Sequence, residues 1–270
     1  MRRNGFSLVE LGIVLVIIGF LAAAIVSGKS LVEQAQIRTY ISEFTALTQA
    51  YNNFVFSYGA PPGDIQSYSA FATSASQITT DPSQTPYGNG DGLIVSQNNG
   101  LDETRLALRD LTVAGMIKNN IATVASQTNM IPGQSAPAST ISAVNGYMFL
   151  SYALNGTPVT GVVNINFAGT MSDIFTDNPE LGASYNVLYL GAASINSGET
   201  LLGASLSTPI AYAIDRKIDD GAIVSGVFSG ATTGKFRALN GENVTGCAAG
   251  TQYNISSATV PMCLVGIKMD

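Results

Sequence analysis

The chain has 270 residues, 46% of them hydrophobic and 11% charged, with two cysteines and no histidine. Twelve Lys and Arg against 18 Asp and Glu give a net charge of −6. This balance argues against a nucleic-acid binder, which needs clustered basic residues, and the lack of histidine removes the usual base of nucleophilic catalysis.

In chain order, the first element is membrane-like. From Leu11 to Val26 every side chain is apolar or glycine, and with Phe6 to Val9 the run is long enough to cross a hydrocarbon core of about 30 Å as a helix. Glu10 interrupts it near its start. A charge at the centre of such a helix costs about 2.5 to 3.5 kcal/mol and less near an end, so a carboxylate kept there points to a specific partner. Arg2 and Arg3 hold the N-terminus cytoplasmic by the positive-inside rule. A secretory signal peptide cut near Ala22 to Ala24 has the same basic start. That reading leaves Glu10 unexplained and discards the beginning of a helical pattern that runs on.

A cut between Gly5 and Phe6 releases an α-amino group one helical turn before Glu10. Within one chain the carboxylate then sits in the first turn, where the helix dipole favours negative charge. Between chains, the amine of one helix can pair with Glu10 of the next, and each charge disfavours packings that leave the other alone.

Gly5-Phe6-Ser7-Leu8-Val9-Glu10-Leu11, with Gly19 and Ala22-Ala23-Ala24, resembles the class III signal of the type IV pilin and type II secretion pseudopilin superfamily. The resemblance covers about the first sixth of the chain. It implies cleavage after Gly5 by a membrane prepilin peptidase and N-methylation of Phe6. It also implies a single-pass protein of the bacterial inner membrane with a periplasmic head. Such subunits assemble helix to helix, with copies of themselves or other pilins and pseudopilins, on an inner-membrane platform into a pilus or pseudopilus. Many members carry a proline where the helix leaves the membrane; this chain has Ser27-Gly28, a pair that can bend a helix.

Beyond the membrane the helical pattern continues. Ile37, Ile41, Phe44, Tyr51, Val55 and Tyr58 recur at helical spacings among Lys29, Glu33, Arg38 and Glu43. The pattern stops near Gly59 and Pro61-Pro62-Gly63. One helix from Phe6 to Tyr58 would be about 80 Å long. Four regions follow: a basic leader over 1–5, a transmembrane or filament-core helix over 6–27, an amphipathic continuation over 28–58, and a globular head over 59–270. Loss of the leader removes Arg2 and Arg3, leaving 10 basic against 18 acidic residues, a net charge of −8.

Residues 60–100 read as loop, rich in Gly, Pro, Ser, Thr and Asn. "LDETRLALRDLTVAGMI" reads as a helix with Asp102 near its cap and Gly115 near its end. Strand-like runs follow in "YMFLSYAL", "GVVNINFAG", "YNVLYLG", "AIVSGVFSG" and "VPMCLVGIKM". "STPIAYAIDRKIDDG" reads as a helix with Thr208 as cap, Pro209 at the first helical position and Gly221 after the last turn. The expected fold class is α+β, and the resemblance implies a pilin-like long helix packed on an antiparallel sheet. "YGAPPGD" with "GNGDGLI", and "AIDRKIDDG", are similar to segments of larger pilin-like proteins.

Some pseudopilins bind calcium in an acidic loop. Asn89 and Asp91, followed by Gly92 and Ile94, form half of a calcium loop, but Tyr87 and Asn98 stand where a first carboxylate and a closing glutamate would be. The alternative is a turn whose glycines take positive φ and whose Asn and Asp bond their own backbone. Cys247 and Cys263 are most simply a disulfide in an exported domain, worth around 3 kcal/mol by loop closure, and the family often closes a C-terminal loop in this way. Two cysteines without histidine do not make a structural zinc site.

"SGKS" at 27–30 and "GATTGKF" from Gly230 fail as phosphate loops, lacking the leading glycine or the closing Ser or Thr. Asn155, Asn243 and Asn254 head Asn-x-Ser/Thr sequons that matter only in a cell that glycosylates them. With no Gly-x-Ser-x-Gly elbow and no Ser-x-x-Lys, the sequence points away from an enzyme. A structural subunit is the leading expectation, with a minor or tip pilin whose head binds a ligand, or a membrane-anchored exported enzyme, as alternatives.

Overall fold

The structure, a computed structural model, describes residues 8–65, 88, 90–94, 103–118, 130–152, 185–193, 201–219, 221–224, 227–229, 234–240, 244, 246–249, 252–255 and 260–269. The first element, α1, runs from Leu8 to Tyr58, 51 residues, about 75 Å of continuous helix. It is helical through Ser27 and Gly28.

The two halves of α1 differ because their sequences differ. In the C-terminal half, Ile37, Tyr40, Phe44, Leu47, Tyr51 and Phe54 are buried, a stripe advancing by three and four that keeps one face on the core. Ile41, Val55 and Tyr58 flank this stripe and are only partly buried, so the expected apolar face is rotated slightly onto Tyr40, Leu47 and Phe54. The N-terminal half has no such face. Leu8 is 89% exposed, Phe20 75% and Ile25 72%, and Leu31 and Val32 are also exposed. By length and composition α1 can cross a membrane.

The head supplies what the stripe covers. Strands β1 (Asn145–Tyr152), β2 (Tyr185–Ala192), β5 (Phe236–Asn240) and β8 (Cys263–Lys268) form an antiparallel sheet in the order β1-β2-β8-β5. Register places Phe149, Leu188, Ile267 and Phe236 in one cross-strand row, and cross-strand neighbours share a face. Tyr147, Phe149 and Phe236 meet α1 from that face. Phe44 sits edge-on to Tyr147 and Phe236 at 5.3 and 5.9 Å, and Tyr51 stacks on Phe149 at 5.5 Å, geometries that aromatic quadrupoles favour. On the other face the Leu201 N–H donates to Met148 Sδ at 3.2 Å. That segment comes so close to β2 that a Cβ on Gly191 would stand 1.8 Å from the Leu201 carbonyl oxygen. Buried on both faces, β1 and β2 read as near-continuous apolar runs.

Two short helices are found among the described residues. The helix α2 (Glu103–Val113) ends as expected at Gly115, whose φ is +69°. The Met116 N–H donates to Leu111 O and the Gly115 N–H to Thr112 O, the paired bonds of a Schellman stop. In α3 (Thr208–Ile218) the expected start shifts by one residue. Ser207 is the cap, without a side-chain cap bond, and Thr208 is the first helical residue, buried, with its hydroxyl donating to Gly246 O at 3.4 Å. Arg216 and Lys217 occupy the last turn, where the helix dipole favours cations.

A second small sheet has the order β3-β4-β7-β6, built from β3 (Ala222–Val224), β4 (Val227–Ser229), β6 (Ala248–Ala249) and β7 (Gln252–Tyr253). The run "AIVSGVFSG" is thus a hairpin, while the strand expected at "GVVNINFAG" lies outside the described residues. The observed class is α+β, a long N-terminal helix on an antiparallel sheet.

Candidate functional site

The residues singled out for processing, Gly5 and Phe6, lie outside the described residues, as does Asn89. Glu10 lies in the first turn of α1, exposed among exposed Val9 and Leu11. The remaining geometry bears on how the head grips this helix, because whatever engages the stem acts on the head through α1.

One grip is centred on Glu43. Its carboxylate accepts from the Ser139 hydroxyl at 2.9 Å, from the Thr140 N–H at 2.8 Å, and from the hydroxyls of Thr140 and Tyr147. Four donors on one carboxylate fix α1 to the turn before β1 and to β1 itself, and bonds to a charged acceptor are stronger than neutral ones. Tyr147 is nearly fully buried, and burial, then the hydrogen bond and charge of Glu43, push its phenol far above the usual tyrosine range. Tyr40 is raised as well, first by burial and then by the same charge. Both phenols stay neutral in the folded head.

The second grip, two helical turns further on, is centred on Asn186. Its amide donates to the Tyr51 hydroxyl at 2.9 Å and to Gly92 O at 3.0 Å, and its carbonyl accepts from the Ile94 N–H at 2.9 Å and from the Ser151 hydroxyl. One side chain therefore ties α1, β1, β2 and the 90–94 loop together. Burial raises the Tyr51 phenol, an effect that the Asn186 bond opposes.

The loop proposed for calcium is organised by Asp64. Its two carboxylate oxygens accept from the Gly90 N–H at 2.6 Å and the Gly92 N–H at 2.7 Å. Asp91 accepts from the Leu93 N–H at 2.8 Å, an Asx turn. Gly90 and Gly92 have φ of +77° and +85°. These features match the turn alternative. Burial raises the Asp64 carboxyl against the lowering effect of the Gly92 and Gly90 bonds. Among the described residues, no three His, Cys, Asp or Glu side chains are grouped to hold a metal ion. The neighbouring Gly63 (φ +86°) lies under α2, with its N–H donating to Asp110 at 2.8 Å.

At the far end of the head, Cys247 and Cys263 form a disulfide with Cα atoms 4.9 Å apart. It joins the small sheet to β8.

Glu43 and Asn186 were not singled out by sequence reasoning. Glu43 has one local signal, its place between Tyr40 and Phe44 of the buried stripe. The partners of both residues are distant in sequence, so spacing holds no trace of them. No protein-family model, curated protein or solved structure matches this chain.

Proposed function

We propose that this protein is a structural subunit of a helix-cored filament of the type IV pilus or secretion-pseudopilus kind. In this reading it is held in the bacterial inner membrane by α1 until it is assembled with copies of itself or related subunits. The observation that carries the reading is the division of α1: one continuous helix, apolar and exposed over its first half, pinned under a sheet over its second. A soluble fold does not tolerate so large an apolar surface, and such patches mark a membrane or protein contact. The motif of residues 5–11 supplies the remaining support. Cleavage after Gly5 would create an amine at Phe6 that pairs with Glu10 of a neighbour and fixes the register of the stems. The mechanism is therefore assembly, and the head rides on the stem through the Glu43 and Asn186 grips.

Mass spectrometry of the chain purified from its native membrane tests this directly. The expected mature N-terminus is N-methylated Phe6; a chain that retains residues 1–5, or that begins beyond Val26, overturns the reading.

A further inference from the structure

Besides the sulfur–sulfur bond, hydrogen bonds hold the backbone of both cysteines. Cys263 is held from two sides. It pairs with Asn240 across the β5–β8 ladder, and it bridges Leu206, exchanging N–H donations at 2.9 and 3.1 Å. Cys247 immediately precedes β6, and its carbonyl accepts from the Asn254 N–H at 2.9 Å. There the Asn240 side-chain oxygen Oδ1 accepts from the N–H groups of Gly246, Cys247 and Ala248 at 3.1, 2.9 and 3.3 Å, the shortest being that of Cys247. The Asn240 amide donates in return to Ala248 O at 3.4 Å. Gly246 takes a φ of +130°, a conformation in which side chains are disfavoured. The same residue that faces Cys263 in the ladder therefore gathers the backbone of Cys247.

We propose that Asn240 is a positioning residue for disulfide formation, holding Cys247 against Cys263 before their sulfurs are joined. With a glutathione disulfide as oxidant, one protein thiolate attacks it, forming a mixed disulfide and releasing one glutathione thiolate. The second cysteine thiolate then attacks the protein sulfur and releases the other glutathione. Two protein thiols are oxidised and one disulfide is reduced to two thiols. Asn240 acts on the second, intramolecular step, whose rate depends on how well the two sulfurs are oriented.

The test uses the full chain, reduced in detergent micelles and reoxidised with oxidised glutathione, with species trapped by acid and counted by mass spectrometry. In Asn240→Ala the second step slows about tenfold, the loss expected when the side-chain bond to the Cys247 N–H is removed, and the mixed disulfide accumulates. Asn240→Asp keeps the acceptor and recovers most of the rate. Asn186→Ala, which weakens the head elsewhere, leaves this step unchanged. A wild-type rate in Asn240→Ala overturns the proposal. So does an equal slowing in Asn186→Ala, which would make the effect one of general stability. Should Asn240→Ala fail to fold, Asn240→Ser, with its shorter acceptor, is read in the same way.

Discussion

The side-chain amide of Asn186 donates to the hydroxyl of Tyr51 across 2.9 Å, joining β2 to α1 through residues 135 positions apart. Because Asn186 is also bonded to Gly92, Ile94 and Ser151, its removal breaks four bonds at once and takes its donor from the buried Tyr51 hydroxyl. Asn186→Leu should lower stability by about 2 to 4 kcal/mol, read as a fall in thermal midpoint of the head. Tyr51→Phe removes one bond of the set and should cost about 1 kcal/mol. Equal losses in the two variants would mean that Asn186 does not act as a hub.

The Glu43 grip predicts an alkaline limit. Tyr147 and Tyr40 have raised folded pKa values, so the folded head keeps protons that the unfolded chain loses above about pH 10. Stability is therefore intact below that pH and falls as pH rises beyond it. Tyrosine ionisation, followed by ultraviolet absorbance, should show these phenols titrating only as the head unfolds. Tyr147→Phe should extend folding to higher pH, although it gives up the bond to Glu43. An early, non-cooperative titration of all tyrosines would contradict the burial that holds them neutral.

Gly63 has two reasons to be glycine. Its φ is +86°, and a Cβ there would lie 2.3 Å from Glu103 O and 2.8 Å from Ala107 N, both backbone atoms of α2. Gly63→Ala should destabilise by about 2 kcal/mol or more, the sum of positive-φ strain and forced displacement of α2. Gly59, with similar φ but open space around it, should lose only about 1 kcal/mol as Gly59→Ala. Chemical denaturation of the two variants separates clash from strain.

The stem and head should be separable. Residues 29–35 are exposed, and among the described side chains of α1 the first buried one is Ile37. A chain begun at Lys29 should remain dispersed without detergent and unfold within a few degrees of the full chain, as measured by light scattering and calorimetry. A large fall in midpoint would show that the stem contributes to the head's stability.

Glu10→Leu should raise the affinity of the stem for lipid, since a carboxylate in a helix costs up to about 3 kcal/mol there. It should nevertheless abolish incorporation into sheared surface filaments. Membrane fractionation and filament yield are the two readouts. Undiminished filament yield would remove Glu10 from the assembly mechanism proposed above.

The sequence shows the long helix, both short helices and most of the large-sheet strands, because each is written in local terms: hydrophobic period, a terminal glycine, an apolar run between turn residues. Tyr40, Leu47 and Phe54 escaped that reading because period alone does not say which edge of a broad apolar face meets the sheet. The aromatic rings of β1 and β5 decide it. The short strands β6 and β7, two residues each, carry too little pattern to be seen, and β5 "FRALN" is flanked by loop-like residues that conceal it. The grips at Glu43 and Asn186 are tertiary facts. A glutamate in an amphipathic helix reads as a solvated charge until the fold brings Ser139, Thr140 and Tyr147 to it.

The bare half of α1 has one further consequence. Apolar side chains from Leu8 to Phe20 point in every direction around the axis and are exposed in all of them, so greasiness alone assigns the rod no front or back. Any rotation about its long axis is nearly equal in energy to any other, and orientation has to come from some feature that breaks the circle. Between Leu8 and Gly28 the chain contains a single ionisable side chain, Glu10, the one charged mark on an otherwise unmarked cylinder.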